Sequence, residues 1–332
     1  METMIQKRCV RLISSGTYLP KERVETVELA KKYGYDPQKI ISKIGVYTRY
    51  FSKEESIAEM AAHAVKRALK KASLDLDSLD LLISASGTYD KPIPHNSVLI
   101  HHELKLPSHT MVFDIDCTCL SFFKALDVAS TLVEAGQYKR VAIVSSERPS
   151  VGLNWDTPES SFLLGDGAVC FILEASQNSF MLHSEYETYS QGIHLAEIPA
   201  GGSVLPPKAV ESVDDKRFLF KMDGHQIHKL GSKHIESMYA RFMDRSQLTI
   251  DKIQMVIPHQ ASFLVLKIVR RKLKIPEEKY FINIQNRGNL VGASIPFALH
   301  EAILEKRIKR GDNIVLMGAG AGITLGLFHL IY

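Results

Sequence analysis

Three residues have types and settings suited to thioester chemistry: Cys119, His259 and Asn289. Cys119 lies between an extended run, residues 111–115, and an amphipathic stretch that starts near Phe122. A thiol at the start of a helix feels the positive end of the macrodipole, which favours the nucleophilic thiolate. His259 directly follows an apolar run, in Ile257-Pro258-His259-Gln260-Ala261, where α/β folds carry their sites. Asn289 closes Asn286-Arg287-Gly288-Asn289, where the glycine permits a tight turn that aims the amide inward. Singly, each has an ordinary structural reading: a buried free thiol, a satisfied loop imidazole, a turn amide. Together they are the parts of a centre in which imidazole and amide N–H groups steady the oxyanion formed when a thiolate attacks an acyl carbonyl.

The elements that must hold these residues are legible as alternating patterns. Residues 81–85, 141–144, 255–257 and 314–317 are short β-branched or aliphatic runs that read as buried strands. Residues 56–70 place Ile57, Met60, Ala61, Ala64, Val65, Ala68 and Leu69 on one helical stripe, and residues 122–135 do the same through Phe122, Leu126, Ala129 and Leu132. Strands alternating with helices predict βαβ units and a mostly parallel sheet. A weak internal repeat relates residues 78–84 to 251–257, and each is followed by a second apolar strand and a glycine-rich turn. The turns are Gly165-Asp166-Gly167-Ala168 and the stretch holding Gly318, Gly320 and Gly322. Two similar halves are therefore expected, residues 1–185 carrying the Cys and residues 186–332 carrying the His and Asn, joined through the Gly- and Pro-containing stretch 200–207.

Composition excludes several function classes. The chain has 332 residues, 45% hydrophobic and 23% charged, with 41 basic against 37 acidic side chains and a formal charge of +4. These fractions fit an ordinary folded protein, and the mild basic balance argues against nucleic acid as a partner. The four cysteines, Cys9, Cys117, Cys119 and Cys170, form no C-x-x-C pair, so no metal site is expected and a reducing compartment is. The first eight residues carry charge with no long apolar core behind them, and no run reaches the ~18 apolar residues of a membrane span. The expectation is a soluble cytoplasmic protein with no membrane contact. The glycines at 318–322 miss G-x-G-x-x-G at its last position, and no phosphate-binding G-x-x-x-x-G-K-[ST] occurs. Their backbone N–H groups are read instead as help for an oxyanion hole. After His259, Lys267, Arg270, Arg271 and Lys272 punctuate an otherwise apolar segment. That segment reads as a solvated helix face or a docking patch for an acidic carrier.

Three segments in order, Phe113-Asp114-Ile115-Asp116-Cys117-Thr118-Cys119-Leu120-Ser121-Phe122, Val256-Ile257-Pro258-His259-Gln260-Ala261 and Gly288-Asn289-Leu290-Val291-Gly292-Ala293-Ser294-Ile295-Pro296, resemble the β-ketoacyl-acyl-carrier-protein synthase III branch of the thiolase superfamily. The resemblance spans nearly the whole chain. It implies an α/β, thiolase-like, duplicated αβαβα five-layer fold, a homodimer, and a site reached by a pantetheine tunnel. It implies that Cys119 takes the acyl group from a CoA or carrier-protein thioester. His259 and Asn289 would then assist decarboxylation of a malonyl-type thioester, with no cofactor beyond the substrates' own CoA or phosphopantetheine. By the same resemblance, Lys39, Lys43, Ser262 and Gly224 fall at substrate-binding positions, Ile93 lines the partner subunit's acyl pocket, and Lys267, Arg270, Arg271 and Lys272 fall at or beside carrier-docking positions.

The departures from the family pattern are specific. Where relatives stack a Trp on adenine this chain has Lys39, where they carry CoA-binding Arg residues it has Lys43 and Pro158, and the Asn after the catalytic His is Ser262. Lost stacking and bidentate contacts weaken the grip on CoA's adenosine phosphate, so the resemblance implies a specialised member with a carrier-bound or unusual acyl donor. Two other readings stay open. One is an acyltransferase passing the Cys119 acyl group to an O or N acceptor; the other is a silent partner subunit. Head-to-head condensing relatives place a Glu base in the loop at 89–95, where this chain offers only Asp90.

Overall fold

The computed structural model describes residues 7–209, 212 and 214–332; residues 1–6, part of the segment judged free of a secretory signal, lie outside the described residues. The first half builds a five-stranded sheet from β1 (Val10–Tyr18), β2 (Leu81–Ser84), β3 (Met111–Asp114), β4 (Arg140–Glu147) and β5 (Gly167–Ala175), in spatial order β1-β5-β4-β2-β3. The second half builds a four-stranded sheet from β6 (Phe180–Thr188), β7 (Ile253–Pro258), β8 (Asn313–Gly320) and β9 (Thr324–Ile331), in order β7-β8-β9-β6. The pairings repeat. In each half the first strand runs antiparallel to the last, the last antiparallel to the one before it, and that one parallel to the second. The counterpart of β3 survives in the second half as one parallel bridge, Val256 to Tyr280.

Alternation along the strands creates the layers. Val141 and Ile143 of β4 and Ile314 and Leu316 of β8 face one shared core, which also holds helices α2 (Ser121–Glu134) and α5 (Ser294–Leu304). Ala142 and Val144 face outward onto α1 (Ile57–Lys71), and Val315 and Met317 face outward onto α3 (Gly224–Arg245) and α4 (Phe263–Lys272). The result is helix, sheet, helix, sheet, helix. α1 starts where predicted because Ser56 and Glu59 form a reciprocal capping box. It packs so tightly on β1 that a Cβ at Gly16 would lie 2.4 Å from the Ala68 nitrogen.

Two boundaries differ from the sequence reading. The Gly- and Pro-containing stretch 200–207 lies inside the second half, between β6 and α3. Such composition marks a loop but not which elements the loop joins. The connection between halves is the short turn at 176–179, where the Ser176 hydroxyl accepts the Asn178 and Ser179 N–H groups at 3.1 Å each. The expected division between residues 185 and 186 falls within β6, which pairs with β9 from its first residues. Gly318 and Gly320, read as a turn, are strand residues of β8, leaving Gly322 in the turn at φ 76°.

Candidate active site

Cys119 sits in a 3-10 turn, Thr118–Leu120, that feeds directly into α2. Thr118 is β-branched yet has φ 52°, a left-handed conformation that costs about 1–3 kcal/mol and persists only when its surroundings over-determine it. They do. The Thr118 N–H donates to Asp116 Oδ1 (2.7 Å), its hydroxyl oxygen accepts the Ala321 N–H (2.9 Å), and its carbonyl accepts the Ser121 hydroxyl (2.7 Å). The Ser121 oxygen in turn accepts the Cys117 N–H (2.9 Å). Gly320 permits this approach, since a Cβ there would lie 2.6 Å from Thr118 Oγ1 and 3.0 Å from the Cys117 carbonyl oxygen. The glycines of β8 thus make room for the Cys119 turn. The Ala321 N–H, in the loop read as oxyanion help, is spent on Thr118.

The same device occurs in the second half. Val291, also β-branched, has φ 48° and opens the 3-10 turn Val291–Ala293 ahead of α5. Its N–H donates to Asn289 Oδ1 (2.8 Å), and the Ser294 oxygen accepts the Leu290 N–H (2.8 Å). Asp116, Thr118 and Ser121 therefore match Asn289, Val291 and Ser294 in spacing and in bonding. Sequence reasoning passed over this repeat, although D-x-T-C-x-S and N-x-V-G-x-S are visible in the chain.

Asn289 Oδ1 also accepts the Ser294 hydroxyl at 3.0 Å. With its oxygen committed twice, the amide presents Nδ2 to His259 Nε2, 3.5 Å away. His259 follows β7, anchored by its N–H to the Met317 carbonyl at 2.7 Å. A Cβ at Gly318 would lie 3.3 Å from His259 Cβ and 2.8 Å from Leu120 Cδ2, so the His and the Cys119 turn flank one glycine. Burial pushes the His259 pKa down to about 4, leaving the imidazole neutral near pH 7.

The thiol departs from expectation. Burial, with the carboxylates of Glu147 and Asp116, pushes Cys119 up to about 12, against the thiolate expected from the helix dipole. A dipole contributes about 0.3–1 kcal/mol at a surface terminus, less than desolvation takes here. Glu147, absent from the sequence reading, is fully buried at the end of β4. An acidic residue closing an apolar strand was its only sequence signal.

The remaining predicted residues are spread over several elements. Lys39 and Lys43 lie exposed on the short helix Pro37–Ile44, which meets α4 where Gly45 touches Phe263; Lys43 pairs with Glu159. Ser262 caps α4, its oxygen accepting the Val265 N–H at 3.3 Å, and Gly224 is the first residue of α3. Of the basic set, Lys267 and Arg271 are exposed, whereas Arg270 turns back to Glu277 (2.9 Å) and Lys272 to Glu236 (3.0 Å). Ile93 is 85% exposed. Asp90 accepts the Ile57 and Ala58 N–H groups at 2.8 and 3.0 Å, so it caps α1 and is spent as a base. A surface cleft of about 1180 Å³ beside Lys267 and Arg287 includes none of Cys119, His259 and Asn289. Among the described residues no cluster of three His, Cys, Asp or Glu could hold a metal ion, and no helix is long and apolar enough to cross a membrane. All four cysteines are free.

The chain matches the family model of 3-oxoacyl-[acyl-carrier-protein (ACP)] synthase III over residues 113–190 and that of its C-terminal region over residues 243–331. A relative from Aquifex aeolicus named β-ketoacyl-[acyl-carrier-protein] synthase III is 32% identical, over 97% of this chain and 99% of its own. One of the same name from Clostridium perfringens is 32% identical, over 95% and 97%. The crystal structure of the Aquifex aeolicus enzyme, described as 3-oxoacyl-[acyl-carrier-protein] synthase III, superposes with a TM-score of 0.88, covering 97% of this chain and 100% of that one. The duplicated five-layer architecture is the thiolase fold, as expected. Within that class, the chain belongs to the β-ketoacyl-acyl-carrier-protein synthase III family.

Proposed function

We propose that this chain is a condensing enzyme that takes an acyl group from a thioester onto Cys119 and joins it to a malonyl thioester on acyl carrier protein, in fatty-acid or specialised-metabolite biosynthesis. The observation that carries the reading is the Asn289 amide, whose doubly engaged oxygen leaves Nδ2 beside His259 Nε2. In the first step neutral His259 takes the Cys119 proton as sulfur attacks the acyl carbon. The bond from acyl carbon to the donor sulfur breaks, and the proton leaves on that sulfur. In the second, the malonyl thioester loses CO₂, and its electron pair becomes an enolate whose oxygen faces the N–H₂ of Asn289, with His259 Nε2 beside it. The enolate carbon attacks the acyl carbonyl, a carbon–carbon bond forms, and Cys119 leaves and regains a proton from solvent. No cofactor enters beyond the thioesters' own CoA or phosphopantetheine arm.

The donor is proposed to be carrier-bound or unusual, because Lys39, Lys43 and Pro158 supply no aromatic stack or guanidinium at the matched positions, and Lys43 is held by Glu159. Lys267 and Arg271, the exposed members of the basic set, are the proposed carrier-docking charges. A homodimer fits β3, which ends its sheet with Met111 exposed; sedimentation as a monomer refutes it. Intact-protein mass spectrometry after incubation with CoA and carrier thioesters of varied chain length tests the chemistry. An adduct of acyl mass that is lost in Cys119→Ala is expected, followed by release of CO₂ and β-ketoacyl carrier when malonyl carrier is added. No adduct from any donor overturns the reading.

A further inference from the structure

Glu147 Oε1 accepts the N–H groups of Gly87 (2.8 Å) and Gly292 (3.1 Å), and its Oε2 accepts the Thr88 hydroxyl (2.6 Å). Gly87 and Thr88 follow β2 of the first half, whereas Gly292 belongs to the second-half turn that presents Asn289. One buried side chain therefore ties both halves together beneath the site. The packing leaves no slack: a Cβ at Gly292 would lie 2.7 Å from Glu147 Oε1 and 3.1 Å from the Thr118 carbonyl oxygen. A Cβ at Gly87 would lie 3.1 Å from Val291 Cγ1 and 3.3 Å from Thr118 Cα. Thr118, the strained residue that sets Cys119, rests on the two segments that Glu147 holds.

We propose that Glu147 is a positioning residue for Cys119, clamping the Gly87 and Gly292 segments under the nucleophile's turn and opposing the thiolate with its own negative charge. The inference rests on Cys119 as the reacting thiol. The titratable and charged groups around Glu147 are few. Asp116, on the Cys119 turn, faces it, and Cys119 and Tyr89 both feel its charge. Arg148, next in the chain, turns away to the Ser52 and Lys53 carbonyls. Burial pushes Glu147 up to about 8 despite its three donors, so the charge arises as pH passes that value.

Alkylation of Cys119 by iodoacetamide, followed by fragment-ion mass spectrometry between about pH 6 and 10, tests the charge. Glu147→Gln keeps an oxygen for Gly87 and Gly292, removes the charge, and presents an amide N–H₂ to the Thr88 hydroxyl, which must turn to accept from it. Its profile is expected to superimpose on wild type below about pH 8 and to run about threefold or more faster near pH 9.5. A constant factor at every pH, or no difference, overturns the charge role. Glu147→Ala tests the clamp: kcat for acyl transfer falls about tenfold or more while the donor KM stays within about twofold. A raised KM with unchanged kcat overturns that role, and Glu147→Asp, too short to reach both segments, carries the same test if the Ala variant does not fold. Alkylation needs no acyl donor. A chain that shows the predicted pH divergence yet takes no acyl group from any donor sinks the proposed function and leaves this inference standing.

Discussion

At the scale of the residue, the site works through groups whose other bonds are already spent. Asn289 directs its N–H₂ toward His259 because Val291 and Ser294 occupy its oxygen. Asn289→Asp keeps the shape and the Val291 bond but replaces the donor with an acceptor. We expect release of CO₂ from malonyl carrier to fall by about 10²–10³-fold, the usual loss for one oxyanion donor, with a smaller effect on acylation of Cys119. Equal losses in both steps, measured by CO₂ release and adduct mass, refute the assignment of the amide to the enolate. Cys119 is a neutral thiol at rest, so its reactivity depends on the neutral imidazole that burial maintains at His259. Burial holds both groups in their neutral forms far more firmly than residue type does, since desolvation is a property of the packed interior.

At the scale of the element, one turn design serves twice. A left-handed β-branched residue, an Asx side chain two positions earlier and a serine at the first helical position aim Cys119 from α2 and Asn289 from α5. β8 supports the first of these turns through its glycines. Gly320→Ala places a methyl 2.6 Å from Thr118 Oγ1 and 3.0 Å from the Cys117 carbonyl oxygen. The turn must shift, and we expect acylation of Cys119 to slow about tenfold or more while stability falls by about 1–3 kcal/mol. Full acylation rate with a lowered melting temperature places the role of Gly320 in folding alone. The amphipathic helices and β-branched strands were legible because 3.6- and 2-residue periods record which face is buried. The strand character of Gly318 and Gly320 was not, because a residue without a side chain carries no face to read and glycine is commoner in turns than in strands.

At the scale of the whole molecule, the two halves share one core and meet through buried polar contacts. His300 of α5 lies 2.8 Å from the Ser15 hydroxyl of β1. Burial, with a contribution from Lys71, pushes its pKa down to about 4 from an ordinary 6.5. The unfolded chain therefore takes up this proton first as pH falls. The stability it represents is full above about pH 6.5 and is lost on the way down to 4, on the order of 3 kcal/mol at most. We expect the melting-temperature advantage of wild type over His300→Gln to shrink between pH 7 and pH 4.5. Comparison with the variant cancels Asp166 and Glu147, whose raised values of about 6 and 8 act in the opposite direction. A pH-independent gap refutes the assignment.

What the chain alone determined was its vocabulary: the alternating strands and helices, the internal repeat, and Cys119, His259 and Asn289 as residues whose types belong together. Each is local or periodic, and periodicity is written directly into residue order. Only the tertiary structure decided how those residues act. It turned the thiol's pKa upward, withdrew Asp90 into a helix cap, folded Arg270 and Lys272 back onto carboxylates, and brought Glu147 of one half beneath the Gly292 turn of the other. Charge state, hydrogen-bond commitment and contact between halves depend on what distant segments bring to the same place, and spacing along one segment cannot carry that information.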